Sequence, residues 1–137
     1  MSIENEEVSI DKDPVYADIV PIPQDDGPEP VVLIRYPKDF KMIHNYFRAI
    51  LLKNEKSDRA FNITTKVIKK NPANYTAWQY RRELIFKLNK NLNDELEFTK
   101  EMALLQPKNY QLWWHRRVII KKILSNNDDQ KNDNNNN

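Results

Sequence analysis

Lys108 stands between Pro107 and Asn109 in the segment QPKNYQ (106–111), two residues before Tyr110. Asn109 is of helix-capping type and follows a proline stop, so Lys108 falls immediately ahead of a helix N-terminus. A cation is mildly unfavourable there, because the unpaired N–H groups of a helix start already make a positive end. An anion held by the helix end, the lysine charge and the Tyr110 hydroxyl would reverse that penalty, so the spacing fits a phosphate or carboxylate site. A solvated surface lysine is the competing account and, from spacing alone, the more frequent one. Other chemistry is sparse. His44 and His115 have no companion ligands at metal spacing, and there is no His-Glu-x-x-His and no glycine-rich phosphate loop. With no cysteine the chain offers neither a thiolate nucleophile nor a Cys-type zinc site. Any metal or nucleophile must come from another chain.

The element carrying Lys108 is a repeat. Asn-Tyr-x-x-Trp-x-x-Arg-Arg occurs at Asn74 to Arg82 and again at Asn109 to Arg117, and a shift of 35 residues superposes 72–85 on 107–120. That period belongs to arrays of helix pairs that stack their apolar faces. Asn74 and Asn109 read as N-caps, and Trp78 and Trp113 as core packing between repeats. One arginine of each pair, Arg81-Arg82 and Arg116-Arg117, is expected beside the Trp, bonding carbonyls at the end of a neighbouring helix; a basic surface facing a partner or a phosphate is the alternative. Lys108 replaces Ala73 of the first copy, which marks it as a position that the repeat architecture does not dictate.

The surrounding periodicity is helical. Phe40, Ile43, Phe47, Ile50 and Leu51 share one face, as do Ala60, Phe61, Thr64, Val67 and Ile68. This predicts five helices: 38–53; one capped by Ser57 and stopped by Asn71-Pro72; one from Asn74 to about Asn89; one from near Asn93, with Asp94 and Glu95 in its first turn, to Gln106; and one from Asn109 to about Leu124. A single glycine argues against a hairpin-rich β fold. The expected class is all-α, an α-α superhelix of antiparallel pairs over residues 38–124.

The net charge of +2 hides a segregation: residues 1–30 hold nine acids and one base, residues 31–124 eight acids and twenty bases. A basic body of this kind favours anionic ligands, although solvated helix faces account for many such patterns. Six of the eight prolines fall between Pro14 and Pro37, so 14–37 reads as an extended arm, with enough apolar residues to lie against the body or a partner. Residues 1–13 read as a disordered acidic tail, and 125–137, almost wholly Asn, Asp, Gln and Lys, as a second disordered tail. No apolar run approaches the roughly 20 residues of a membrane span, and no signal peptide is recognisable, which makes a cytoplasmic location the expectation.

Four stretches are specific: Tyr16 to Val32 (YADIVPIPQDDGPEPVV), Tyr46 to Ile50 (YFRAI), Asn74 to Arg82 (NYTAWQYRR) and Gln106 to Arg117 (QPKNYQLWWHRR). Together they resemble the α subunit shared by protein farnesyltransferase and protein geranylgeranyltransferase type I, from about Tyr16 to Leu124. The proline arm favours this over the α subunit of the Rab-directed enzyme. The resemblance implies a heterodimer with a zinc-bearing β subunit, magnesium accompanying the zinc, that attaches a farnesyl or geranylgeranyl group to the cysteine of a C-terminal CaaX motif. It further implies that Lys108 sits at the diphosphate of the prenyl donor, that Tyr110 lines the active site, that Gln111 bonds the peptide carboxylate and that Tyr75 lines its last-residue pocket. Members of the family continue through more repeats than this chain has, so the short chain is expected to be impaired, and inactive when isolated. A non-enzymatic helical scaffold that binds a protein partner is the alternative. RNA binding is the least favoured reading, because the tryptophans read as internal and no stacking module appears.

Overall fold

In a computed structural model of the chain, residues 8–24 and 38–135 are described. Among them are five α-helices and no strand: α1 (Lys38–Lys53), α2 (Asp58–Lys70), α3 (Tyr75–Lys87), α4 (Leu92–Leu105) and α5 (Tyr110–Asn135). They fall into two compact units, Met1–Lys70 and Asn71–Asn137.

In the first unit α1 packs on α2. Of the faces predicted from periodicity, Ile43, Phe47 and Ile50 on α1 and Ala60, Thr64, Val67 and Ile68 on α2 are buried, whereas Phe40, Leu51 and Phe61 are half-buried. Ser57 caps α2 as expected, its Oγ accepting from Ala60 N at 3.2 Å. α1 closes on Asn54 at φ 51°, with Glu55 N donating to Ile50 O at 3.1 Å. α3 closes in the same way on Asn89 at φ 55°, with Lys90 N donating to Ile85 O at 2.9 Å. Asparagine thus occupies the left-handed position that glycine usually takes after a helix.

Two described stretches depart from the expected disordered tail and extended arm. Residues 1–7 and 25–37 of those predictions lie outside the described residues. Within 8–13, where disorder was expected, Ile10 is buried and Lys12 N donates to Ser9 O at 2.9 Å in a turn. Pro14–Tyr16 is a 3-10 turn capped by Asp13 rather than extended chain; proline suits the first helical position, where its missing N–H costs nothing. The buried rings of Tyr16 and Tyr46 meet edge to face at 6.5 Å. Beyond it the arm follows α1: Ile22 N donates to Asn45 O at 2.9 Å, and Arg48 Nε donates to Ile22 O at 2.8 Å. Arg59 joins Asp18 of the arm to Glu55.

In the second unit α5 packs on both α3 and α4. Ala77, Trp78, Tyr80, Leu84 and Ile85 of α3, Met102 of α4, and Leu112 and Ile119 of α5 are its buried apolar residues. α4 begins on Asn91, whose Oδ1 accepts from Asp94 N at 3.0 Å, two residues before the expected start. α5 overruns the predicted end at Leu124 and continues to Asn135. Composition predicts disorder from 125 because nothing there can be buried, and the side chains of 125–134 are indeed exposed. Extending a formed helix, however, gains about one hydrogen bond per residue fixed and requires no burial, which is why polarity alone does not end it. Residues 136 and 137 lie outside the described residues.

Candidate functional site

The four residues singled out from sequence all belong to the second unit and flank two helix starts. Tyr75 is the first residue of α3, Tyr110 and Gln111 open α5, and Lys108 lies in the turn before α5. Asn74 caps α3, its Oδ1 accepting from Ala77 N at 3.1 Å. Asn109 caps α5 through bonds from Gln111 N at 3.0 Å and Leu112 N at 3.3 Å. The same side chain spans the unit, because Asn109 Nδ2 donates to Pro72 O at 2.6 Å. Pro72 O also accepts from the Trp78 indole N–H at 2.8 Å. One carbonyl therefore ties the turn before Tyr75 to the turn that carries Lys108.

The side chains near this tie face outward. Tyr75 is 64% and Tyr110 88% exposed; Lys108 is exposed and Gln111 half-buried. None of the four side chains hydrogen-bonds to another group among the described residues, so their polar atoms are available to a ligand. Three of the five helices, α1, α2 and α4, carry an acid in the first turn, whereas α3 and α5 carry none. The positive ends of α3 and α5 are therefore uncompensated, with Lys108 adding a full charge beside one of them. That is the electrostatics of an anion site.

Beneath the two helix starts lies a buried polar cluster that the sequence reading missed. Arg81 Nε and Nη2 donate to the Glu95 carboxylate at 2.6 and 2.7 Å, and the two side chains are 3% and 2% exposed. His115 Nε2 lies 2.9 Å from Glu95 Oε2, and its Nδ1 lies 3.3 Å from Arg82 Nη1. Arginine only donates, so His115 Nδ1 accepts and Nε2 carries the proton given to Glu95. Burial pushes the His115 pKa down, and the bond to Glu95 recovers only part of it, so the ring is neutral at pH 7. Burial pushes the Glu95 carboxyl up, but hydrogen bonds from His115 and Arg81 and the Arg81 charge outweigh it and hold the group below the ordinary range. The Arg81 guanidinium also covers the Phe98 ring at 4.2 Å, and His115 lies against Trp78 at 4.8 Å. This cluster joins α3, α4 and α5 and thereby fixes the frame on which Tyr75, Lys108, Tyr110 and Gln111 sit.

Glu95 lies in the first turn of α4 as expected and is also the buried centre of that cluster. Arg116 bonds a neighbouring helix's carbonyl as expected, but inside α4 rather than at its end: its Nη1 donates to Leu96 O and Thr99 Oγ1, both at 3.1 Å. Its counterpart Arg81 takes the Glu95 carboxylate. The tryptophans also diverge. Trp78 is fully buried, but Trp113 is 47% exposed, although its indole N–H makes the equivalent bond to Pro107 O at 2.7 Å. Trp78 is covered by Phe98 and His115 from the following helices; among the described residues no further helix follows α5 to do the same for Trp113. No group of three or more His, Cys, Asp or Glu side chains able to hold a metal occurs among the described residues, and none of their helices is long and apolar enough to cross a membrane.

Residues 57–88 and 92–123 each match the protein prenyltransferase alpha subunit repeat. Protein farnesyltransferase/geranylgeranyltransferase type-1 subunit alpha of Solanum lycopersicum is 48% identical over 90 residues, covering 66% of this chain and 26% of that protein. The subunit of the same name from Schizosaccharomyces pombe is 43% identical over 98 residues, covering 72% and 33%. Among solved structures, Candida albicans protein geranylgeranyltransferase-I complexed with GGPP has a chain that superposes with a TM-score of 0.75 at 38% identity, over 82% of this chain and 38% of that one. The chain thus spans about a quarter to a third of the length of these curated relatives. Two tandem matches, the all-helical fold and the duplicated Asn-Tyr-x-x-Trp-x-x-Arg-Arg agree: the chain belongs to the protein prenyltransferase alpha subunit repeat family.

Proposed function

We propose that the chain acts as an α-type subunit of a heterodimeric protein prenyltransferase, with a β subunit as its partner, a prenyl diphosphate as donor and CaaX proteins as acceptors. The observation that carries this is the pairing of an uncompensated helix start with Lys108 in a chain whose repeats are those of prenyltransferase alpha subunits. Lys108 and Tyr110 face the donor diphosphate. As the acceptor thiolate attacks C1 of the prenyl group, negative charge grows on the departing diphosphate, and a fixed cation there lowers the barrier by roughly 2–4 kcal/mol. Gln111 bonds the peptide carboxylate, and Tyr75 borders its last residue from the neighbouring helix start. Zinc, and with it magnesium, is assigned to the complex with β in this reading, and no step is assigned to a metal on this chain. The work of this chain is to bind and orient the two anionic groups, in a cytoplasmic enzyme.

Coexpression with a β subunit, size-exclusion chromatography and a transfer assay on a CaaX peptide test the reading. The pair is expected to copurify, and Lys108→Ala to lower transfer by about tenfold or more. Equal transfer before and after that substitution refutes the site, and failure to copurify with β refutes the subunit role.

A further inference from the structure

A hollow of about 510 Å³ lies on the second unit between α3 and α5. Phe86, Trp114 and Val118 supply its apolar lining, Arg117, Lys121 and Lys122 its cations, and no carboxylate lines it. Phe86 and Trp114 are 43% and 56% exposed. Two observations separate this patch from an ordinary solvated helix face. Thirty-five residues upstream, the equivalents of Trp114 and Val118 are Gln79 and Glu83, both exposed. The second copy has therefore exchanged an amide and a carboxylate for an indole and an isopropyl group, at positions where the scaffold is satisfied with polar residues. The cations, moreover, lack acids. Four residues on from Arg117, Lys121 and Lys122 stand Lys121, Ser125 and Asn126, and none of the three cations has an ion-pair partner among the described residues. Arg117 and Lys121 are like charges one turn apart and repel each other.

We infer that this hollow docks an acidic segment of a partner protein, which places an aromatic or large aliphatic side chain between Phe86 and Trp114 and carboxylates against Arg117, Lys121 and Lys122. The apolar anchor removes two exposed aromatic rings from water, and the carboxylates relieve the repulsion on α5; an anchor in a pocket with flanking charge is how most interfaces concentrate their binding energy. A second copy of this chain fits poorly, because a two-fold contact would set the same cations against themselves. Nucleic acid would also find cations and two exposed rings here, and the oligouridine competition below separates it from an acidic peptide. The inference is independent of the prenyl-transfer reading, since none of these residues belongs to the site at Lys108.

Selection of short random peptides displayed on phage against the full chain, followed by fluorescence-anisotropy titration of those recovered, tests this. The recovered peptides are expected to carry an aromatic or large aliphatic residue flanked by Asp or Glu, and to bind more weakly as salt rises. Trp114→Gln combined with Val118→Glu restores the pair found in the first copy and is expected to weaken binding about tenfold or more. Lys121→Gln with Lys122→Gln, both on the exposed rim, gives the same comparison if the first variant fails to fold by circular dichroism. Failure to enrich any peptide, a consensus without acids, or unchanged affinity in the folded variants overturns the inference. So does oligouridine displacing the peptides, which would make this a nucleic-acid surface, or a dimer in sedimentation that Trp114→Gln with Val118→Glu abolishes, which would make it a self-interface.

Discussion

Replacing Glu95 by Gln changes one atom type at the centre of the buried cluster. The Arg81 guanidinium, 3% exposed, then keeps its desolvation cost but loses the Glu95 carboxylate that pairs with it. Removing one partner of a buried ion pair typically costs about 3–5 kcal/mol. Set against a total stability of about 5–15 kcal/mol for a domain, that is about a fifth or more of what holds the fold. The companion substitution is Arg81→Met with Glu95→Leu, which removes both charges and leaves the His115 N–H without its acceptor, at about 1–3 kcal/mol. The double variant should therefore be more stable than the single one, an ordering that no sum of surface contacts produces. Urea unfolding followed by circular dichroism at pH 7 measures both. A cost below about 1 kcal/mol for Glu95→Gln, as for an exposed pair, or a double variant less stable than the single one, would show that Arg81 is not desolvated and that the cluster does not hold the frame.

The same cluster makes the chain acid-sensitive. The folded His115 pKa is below its ordinary 6.5, so its contribution is full above about pH 6.5 and is lost as pH falls through the folded value; Glu95, also lowered, adds a second loss below its ordinary 4.5 as pH falls through its own folded pKa. Thermal melts from pH 8 to 4 should show Tm falling in both windows, and His115→Phe should flatten the upper one. The tryptophans should not be equivalent: Trp78→Ala is expected to cost about 3–5 kcal/mol and Trp113→Ala only about 1, chiefly its hydrogen bond, by urea unfolding. Asn109→Ala should cost about 2 kcal/mol, the sum of a cap and a donated bond, and more than Asn74→Ala, which removes a cap alone; equal losses in paired melts would deny the Pro72 tie.

Much of the helical layout was legible because its punctuation is local. Pro72 and Pro107 stop α2 and α4 by sterics, and Ser57, Asn74 and Asn109 announce the starts that follow, all within a few residues of where they act. The cluster was not legible in that way, since Arg81, Glu95 and His115 are 14 and 20 residues apart and no periodicity links them. A signal was nonetheless present. Moving back 35 residues places Glu95 on Ala60 and His115 on Tyr80, both buried, so a carboxylate and an imidazole occupy core positions of the repeat and must find each other or another charge. Thr99 and Thr64 show that the register holds: both are fully buried, and each bonds a carbonyl three residues back. The end of α5 failed for a different reason, since composition reports what can be buried and a helix already begun does not require burial to continue.

At Pro72 and Pro107 the acceptors of the indole bonds are backbone carbonyls, and that has a genetic consequence. A carbonyl belongs to every residue type, so no codon change at either position can delete the acceptor; it can only alter the turn that aims it. The tie between the two helix starts is therefore addressable from one side, through the single codons of Trp78 and Asn109. Sequence drift in the turns should leave the tie standing, whereas drift at those two positions should loosen both helix starts together.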